Sequence, residues 1–154
     1  MIRVIGIGKV KEGPFRELIE DYRKRIQPYH PLKVEEVKDE PIVTNDTAEA
    51  IKKREGDRLL KVLKDDEYVI LLHLQGKEIS SEKLAEKLER DLAVHSKLCF
   101  VIAGSLGPSR EVIERADAYW KLSDLTFLHQ MTKVIVLEQI YRAFKILHHE
   151  NYHK

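Results

Sequence analysis

The 154-residue chain has one cysteine, Cys99, so no disulfide can form within it and its fold must rest on burial and hydrogen bonding. Cys99 lies in the apolar run Leu98-Cys99-Phe100-Val101-Ile102, where a thiol behaves as a small hydrophobe rather than a nucleophile. Net charge is almost absent: 27 lysines and arginines face 26 acidic residues, a formal balance of +1. Proteins that coat nucleic acid usually present a plainly basic face, so this balance argues against general affinity for RNA or DNA. No apolar run approaches the ~18 residues of a membrane-spanning helix. No basic leader or small-residue cleavage site accompanies the opening Met1-Ile2-Arg3-Val4-Ile5, which predicts a cytoplasmic protein with no membrane partner. Repeats, low-complexity tracts and linkers rich in proline, glycine and serine are also missing. With 43% apolar and 34% charged residues, the expectation is one soluble domain spanning 1–154, with no appended RNA-binding domain.

What is present alternates between strand and helix. Residues 2–7 form an apolar, β-branched run, and Phe15, Leu18, Ile19, Tyr22 and Ile26 follow at helical spacing. Pro28 and Pro31 stop that helix. Leu32, Val34 and Val37 suggest a partly exposed strand. Asp46 and Glu49 form a capping-box pattern ahead of a helix through Ile51, Leu59 and Leu63, which Gly56 weakens. Tyr68 to Leu72 reads as a strand buried on both faces, ended by Gly76. Ser80 or Ser81 caps a helix carried by Leu84, Leu88 and Leu92. Leu98 to Ala103 is another buried strand, and Ser109 caps a short helix through Val112 and Ile113. Tyr119 to Ser123 is the fifth strand, and a final helix runs from about Thr132 to His149, with Thr126 or Thr132 starting it. Five strands alternating with five helices predict an α/β fold: a five-stranded, mostly parallel sheet with helices on both faces. The final helix is apolar nearly all round, which predicts a homodimer packed through it.

Three segments are candidates for chemistry. Gly6-Ile7-Gly8 follows the first strand, but Lys11 replaces the third glycine of a dinucleotide fingerprint, so a plain turn is the better reading. Gly104 to Arg110 lacks the Gly-Lys-Ser/Thr of a phosphate-binding loop. Its glycines and proline nonetheless permit close approach of a ligand beyond a strand's carboxyl end, making 103–107 the best ligand-site candidate. Four of the seven histidines fall in the last 26 residues. His149 and His153 have the spacing of a metal pair, yet no cysteine or third ligand converges with them, and no metal is predicted. Tyrosine and histidine at the very tip suit base stacking, phosphate contact or proton handling.

Read together, Phe100 to Gly107, Leu122-Ser123 with Thr126-Phe127 and His129-Gln130, Leu137 to Ile146, and the terminal Tyr152-His153-Lys154 resemble one family. It is that of the large-subunit ribosomal RNA pseudouridine N3-methyltransferases, in the SPOUT superfamily of α/β-knot enzymes. The resemblance implies a carboxyl-terminal trefoil knot, a bound S-adenosylmethionine, a homodimer whose interface borders the site, and rRNA on the assembled ribosome as substrate. Carried over position by position, cofactor contacts fall on Leu72, Ala103, Gly104, Leu122, Ser123, Asp124, Leu125, Thr126 and Phe127. In the implied roles, His153 holds the target base or assists proton transfer. Arg142 fixes the RNA backbone or stabilises the developing anion, Tyr152 packs on the flipped nucleotide, and His129 orders the knot near the methyl group. Two positions depart from the family: Ala103 replaces a common glycine, and Lys133 replaces a common arginine, losing its bidentate fork. A non-catalytic ribosome-binding module and a flavodoxin-like nucleotide binder stay open as alternatives.

Overall fold

Period-two alternation along the strands creates two apolar faces, and helices cover both. The computed structural model describes residues 1–43 and 45–154. In chain order the elements are β1 (Ile2–Ile7), α1 (Gly13–Ile26), β2 (Leu32–Val37), α2 (Ala48–Val62) and β3 (Tyr68–Lys77). They continue as α3 (Ser81–Val94), β4 (Leu98–Ile102), α4 (Arg110–Arg115), β5 (Ala118–Trp120) and α5 (His129–Leu147). All pairings are parallel, in the order β2-β1-β4-β3-β5.

On one face Ile2, Val4, Ile70, Phe100 and Ile102 meet Leu84 and Leu88 of α3 and Val136, Leu137 and Ile140 of α5. On the other, Ile5, Ile7, Val69, Leu71 and Val101 meet Leu59 of α2 and Val112 of α4. Cys99 belongs to this second core and is wholly buried, which pushes its thiol pKa up to about 12 and keeps it unreactive. The β4 register places Phe100 beside Val4 on one side and Ile70 on the other, so the central strands are buried on both faces as their unbroken apolar runs require.

Several local expectations are corrected by competing partners. The α2 cap is Thr47, whose hydroxyl accepts from the Ala50 amide; Asp46 is drawn to Arg54 and Glu49 to Lys52 instead. Strand β3 runs past Gly76, because after an irregularity Lys77 pairs with Trp120 and accepts from the Lys121 amide. Strand β5 is confined to Ala118–Trp120, since Ser123 Oγ accepts from the Leu125 amide and turns the chain locally. Helix α5 begins at His129: the Thr132 amide and hydroxyl both bond the Leu128 carbonyl, so Thr132 is inside the first turn rather than at its cap. It ends at Leu147, and His149 takes a φ of 55°, so His149 and His153 share no helical face.

Helix α5 is the element that positions the site. It packs between α1 and α3 over the sheet, which accounts for much of its apolar circumference within one chain. To reach that groove from the β5 edge, the chain crosses the carboxyl ends of β3, β4 and β1. Gly56, in the middle of α2, also has a packing role. An added methyl group would collide with Ser109, the buried cap of α4. Helix propensity alone makes Gly→Ala stabilising by ~1 kcal/mol. Here the collision reverses the sign, and Gly56→Ala lowers stability by roughly 1–2 kcal/mol in urea unfolding; a stabilised variant would contradict this packing.

Candidate active site

Beyond the carboxyl ends of β3, β4 and β5 lies a cleft of about 710 Å³, within the size range of cofactor sites. Two loops wall it. One leaves β4 at Ala103 and turns through Gly107, whose amide donates to the Gly104 carbonyl and whose φ is 93°. The other is the crossing segment between β5 and α5. Leu72, Ala103, Gly104, Leu122, Ser123, Leu125, Thr126 and Phe127 all line the cleft, and so does His129. Asp124 does not; it turns to solvent and pairs with Lys121. The walls are mainly apolar side chains with backbone amides and carbonyls between them, a chemistry suited to a flat heteroaromatic ring.

Beside the cleft, the end of β1 is held by two side chains from the first turns of α5, one of which, His129, lines the cleft. His129 Nε2 bonds the Ile7 carbonyl. Lys133 is 1% exposed and donates from Nζ to the Gly8 carbonyl at 2.8 Å, with Glu36 3.7 Å away. Its stem runs over Gly6, where any Cβ would overlap it. Gly6 and Ile7 are the paired end of β1 rather than a turn, and the missing side chain at Gly6 makes a slot for the lysine. Burial lowers the Lys133 pKa, partly opposed by Glu36. Burial, then the Lys133 charge, also lowers that of His129.

Arg142, Tyr152 and His153 form a second cluster, and none of them lines the cleft. Arg142 is ten residues beyond Thr132 on α5, about 15 Å along the axis at 1.5 Å per residue. Its Nε and Nη2 donate to Glu138 Oε1 at 3.0 and 2.5 Å, and its guanidinium lies 4.7 Å from the Tyr152 ring centroid. The Tyr152 hydroxyl donates to the same Glu138 oxygen at 3.1 Å. His153 is engaged at both ring nitrogens, Nδ1 by Arg142 at 3.2 Å and Nε2 by Glu82 of α3 at 2.6 Å. Hydrogen bonding to His153 holds the Glu82 carboxyl below its ordinary value, while Glu138 raises the Arg142 pKa. Glu82 and Glu138 thus organise the tail. The Glu82 contact has no local sequence signal, because it joins α3 to a tail residue 71 positions away.

The fold and cleft define a small, all-parallel α/β protein with a cofactor-sized cleft at the strand ends. A family model described as a predicted SPOUT methyltransferase matches residues 1–153. The chain belongs to that family. It is 46% identical to a protein of Carboxydothermus hydrogenoformans and 43% identical to one of Acetivibrio thermocellus, each match covering 99% of both chains. Both relatives are named ribosomal RNA large subunit methyltransferase H. Among solved structures, a probable methylase family protein from Haemophilus influenzae is similar in fold, with a TM-score of 0.53 at 16% identity. That match covers 99% of this chain and 70% of the other.

The His129 environment has a measurable pH signature. A folded-state pKa below the ordinary 6.5 means that the unfolded chain takes up the proton first on acidification. Stability therefore falls as pH drops through 6.5 toward the lowered value, with a slope of at most ~1.4 kcal/mol per pH unit. Urea unfolding across neutral to mildly acidic pH is expected to show a shallower slope for His129→Gln; an unchanged slope would place the titration elsewhere.

Proposed function

We propose that this chain transfers a methyl group from S-adenosylmethionine to N3 of a pseudouridine in large-subunit ribosomal RNA, acting as a cytoplasmic homodimer on the assembled ribosome. The observation that carries this reading is the separation of two clusters, a cofactor-sized cleft and an Arg-Tyr-His tail, in a member of a methyltransferase family. The relatives' shared name supports rRNA as the substrate class.

The cleft suits the cofactor by its own chemistry. Leu72, Leu122 and Phe127 offer apolar walls for adenine, the Thr126 hydroxyl and loop amides offer polar contacts, and Gly104 keeps one wall free of a side chain. When bound, S-adenosylmethionine supplies a methyl group already activated for displacement, so the chain's main task is to position the nucleophile.

The imide N3 of the target base must lose its proton, and a positioned base contributes ~10²–10⁴-fold to such a reaction. His153 assists by holding the target base. Arg142 can only donate, so Nδ1 accepts and Nε2 carries the hydrogen. When the contact with solvent-exposed Glu82 opens, Nε2–H donates to a carbonyl oxygen of the target base and the N3 proton leaves to solvent. Arg142 also offers a fixed cation to the developing anion or to a phosphate, and Tyr152 offers a ring face to the extruded base. Held by Glu138, both present their groups with little ordering left to do.

A second copy unites the two clusters. Leu128, Met131, Ile135, Glu138 and Arg142 follow one another at helical spacing along α5. The first three leave an apolar stripe beside Leu125, which is 71% exposed. A copy packed across this stripe buries it and sets its tail beside the neighbouring cleft. The chain's near-zero charge fits an enzyme that finds RNA by docking on a formed ribosome rather than by general attraction.

Arg142→Ala separates the two clusters experimentally. Calorimetry is expected to show S-adenosylhomocysteine binding close to that of the unaltered protein, while single-turnover methylation of ribosomes falls ~100-fold or more. Absence of binding by the unaltered protein at high micromolar concentration would overturn the cofactor assignment. Full methylation by the variant would remove the tail from the reaction. Free rRNA, isolated subunits and whole ribosomes, with uridine or pseudouridine at the target, resolve the substrate; whole ribosomes carrying pseudouridine are expected to react fastest.

A further inference from the structure

Behind the cleft, α2 presents Glu55 and Gly56 to the two ends of the loop that leaves β4. Gly56 abuts Ser109 at the loop's far end, and Glu55 lies directly beneath Gly104 at its start. Glu55 is 4% exposed, and a Cβ on Gly104 would stand 2.6 Å from its Oε1. Its Oε2 accepts from the Glu40 amide at 3.1 Å. Among the described residues, no lysine or arginine comes within ion-pair distance of this carboxylate. The neighbouring charges are already matched: Glu40 to Arg54 and Arg58, Glu36 to Lys133, and Lys52, one turn earlier on α2, to Glu49.

Asp39 adds to this imbalance. It lies near Gly8 on the same side and forms no ion pair among the described residues, and burial followed by the Asp39 charge raises the Glu55 pKa. A buried carboxylate without a cation is costly unless something positive arrives to face it. Gly104 lines the cleft and Glu55 Oε1 lies on the other side of its backbone, while Lys52, which also lines the cleft, is paired with Glu49.

Resting on the reading of this cleft as the cofactor site, we infer that Glu55 is a specificity-determining residue that makes the cleft prefer the cationic sulfonium donor over its neutral thioether product. S-adenosylmethionine and S-adenosylhomocysteine share the adenosine, the α-ammonium and the carboxylate; they differ in the sulfonium methyl group and its positive charge. A negative charge behind Gly104 acts on that difference and cancels from every contact the two ligands have in common. It favours loading of the donor and release of the product after each turnover.

The test is calorimetric affinity for both ligands, with Glu55→Gln compared with the unaltered protein. Glutamine keeps the size and the acceptor for the Glu40 amide and removes only the charge. The expected result is a five- to tenfold loss of affinity for S-adenosylmethionine, about the effect of one charge across a loop at an effective protein dielectric. Affinity for S-adenosylhomocysteine is expected to change less than twofold. Equal losses for both ligands would make Glu55 merely structural, and an unchanged ratio would overturn the inference. Should Glu55→Gln fail to fold, Asp39→Asn is measured in its place, with a smaller shift of the ratio expected in the same direction and no shift contradicting the inference. If the unaltered protein binds neither ligand, the cofactor reading itself fails and the inference falls with it.

Discussion

The ammonium of Lys133, buried where the first turns of α5 meet the end of β1, donates to the Gly8 carbonyl and faces Glu36. The geometry of the cleft depends on this contact. Removing such a charge from water is expensive, and a buried cation persists only with its hydrogen bonds and counter-charge in place. The slot over Gly6 admits the lysine stem and nothing larger on the β1 side. With the start of α5 fixed here and by His129 on Ile7, the segment from Lys121 to Leu128 must cross the strand ends to connect β5 to that point. The cleft wall is a consequence of where the helix is anchored. Lysine in this slot donates to one backbone acceptor, so burial and that contact stand in for the bidentate fork of an arginine.

From that anchor the helix runs away from the cleft, and its other end holds the Arg142-Tyr152-His153 cluster against α3. One helix therefore carries two clusters about three turns apart, each organised by carboxylates: Glu36 beside the Lys133 anchor, Glu138 and Glu82 at the tail. The rigidity that separates the ends also prevents one chain from closing on itself. An arrangement of this kind calls for a second copy in the proposed reaction, and the exposed apolar residues at the cleft rim provide a surface for it.

Much of this was legible in the residues. The apolar run Leu98–Ile102, and Ile2–Ile7 interrupted only by Arg3, specify strands buried on both faces, and Ser80 and Ser109 cap their helices through their own hydroxyls. Eight of the cofactor positions implied by family resemblance fall on a single cleft. The errors arose where a local signal met a distant competitor. Asp46 has a good capping side chain, but Arg54 takes it. Gly56 reads as a weak point in a helix until Ser109 is placed against it, and Gly6-Ile7-Gly8 reads as a bare turn until Lys133, 125 residues away from its Gly8 acceptor, fills the space. Glu55 and Glu82 carry no sequence signal, because charged residues on amphipathic helices are ordinarily solvated.

The central claim is that the cleft of one copy works with the tail of another, and subunit mixing tests it most directly. Gly104→Val collides with Glu55 and displaces the loop that walls the cleft, but leaves the tail intact, whereas Arg142→Ala does the reverse. Each variant alone is expected to be inactive toward ribosomes. Mixed in equal amounts and allowed to exchange subunits, they are expected to recover roughly a quarter of the unaltered activity, because half the dimers are hybrids with one intact pair of clusters. A mixture as inactive as its parts would show that cleft and tail act within the same chain.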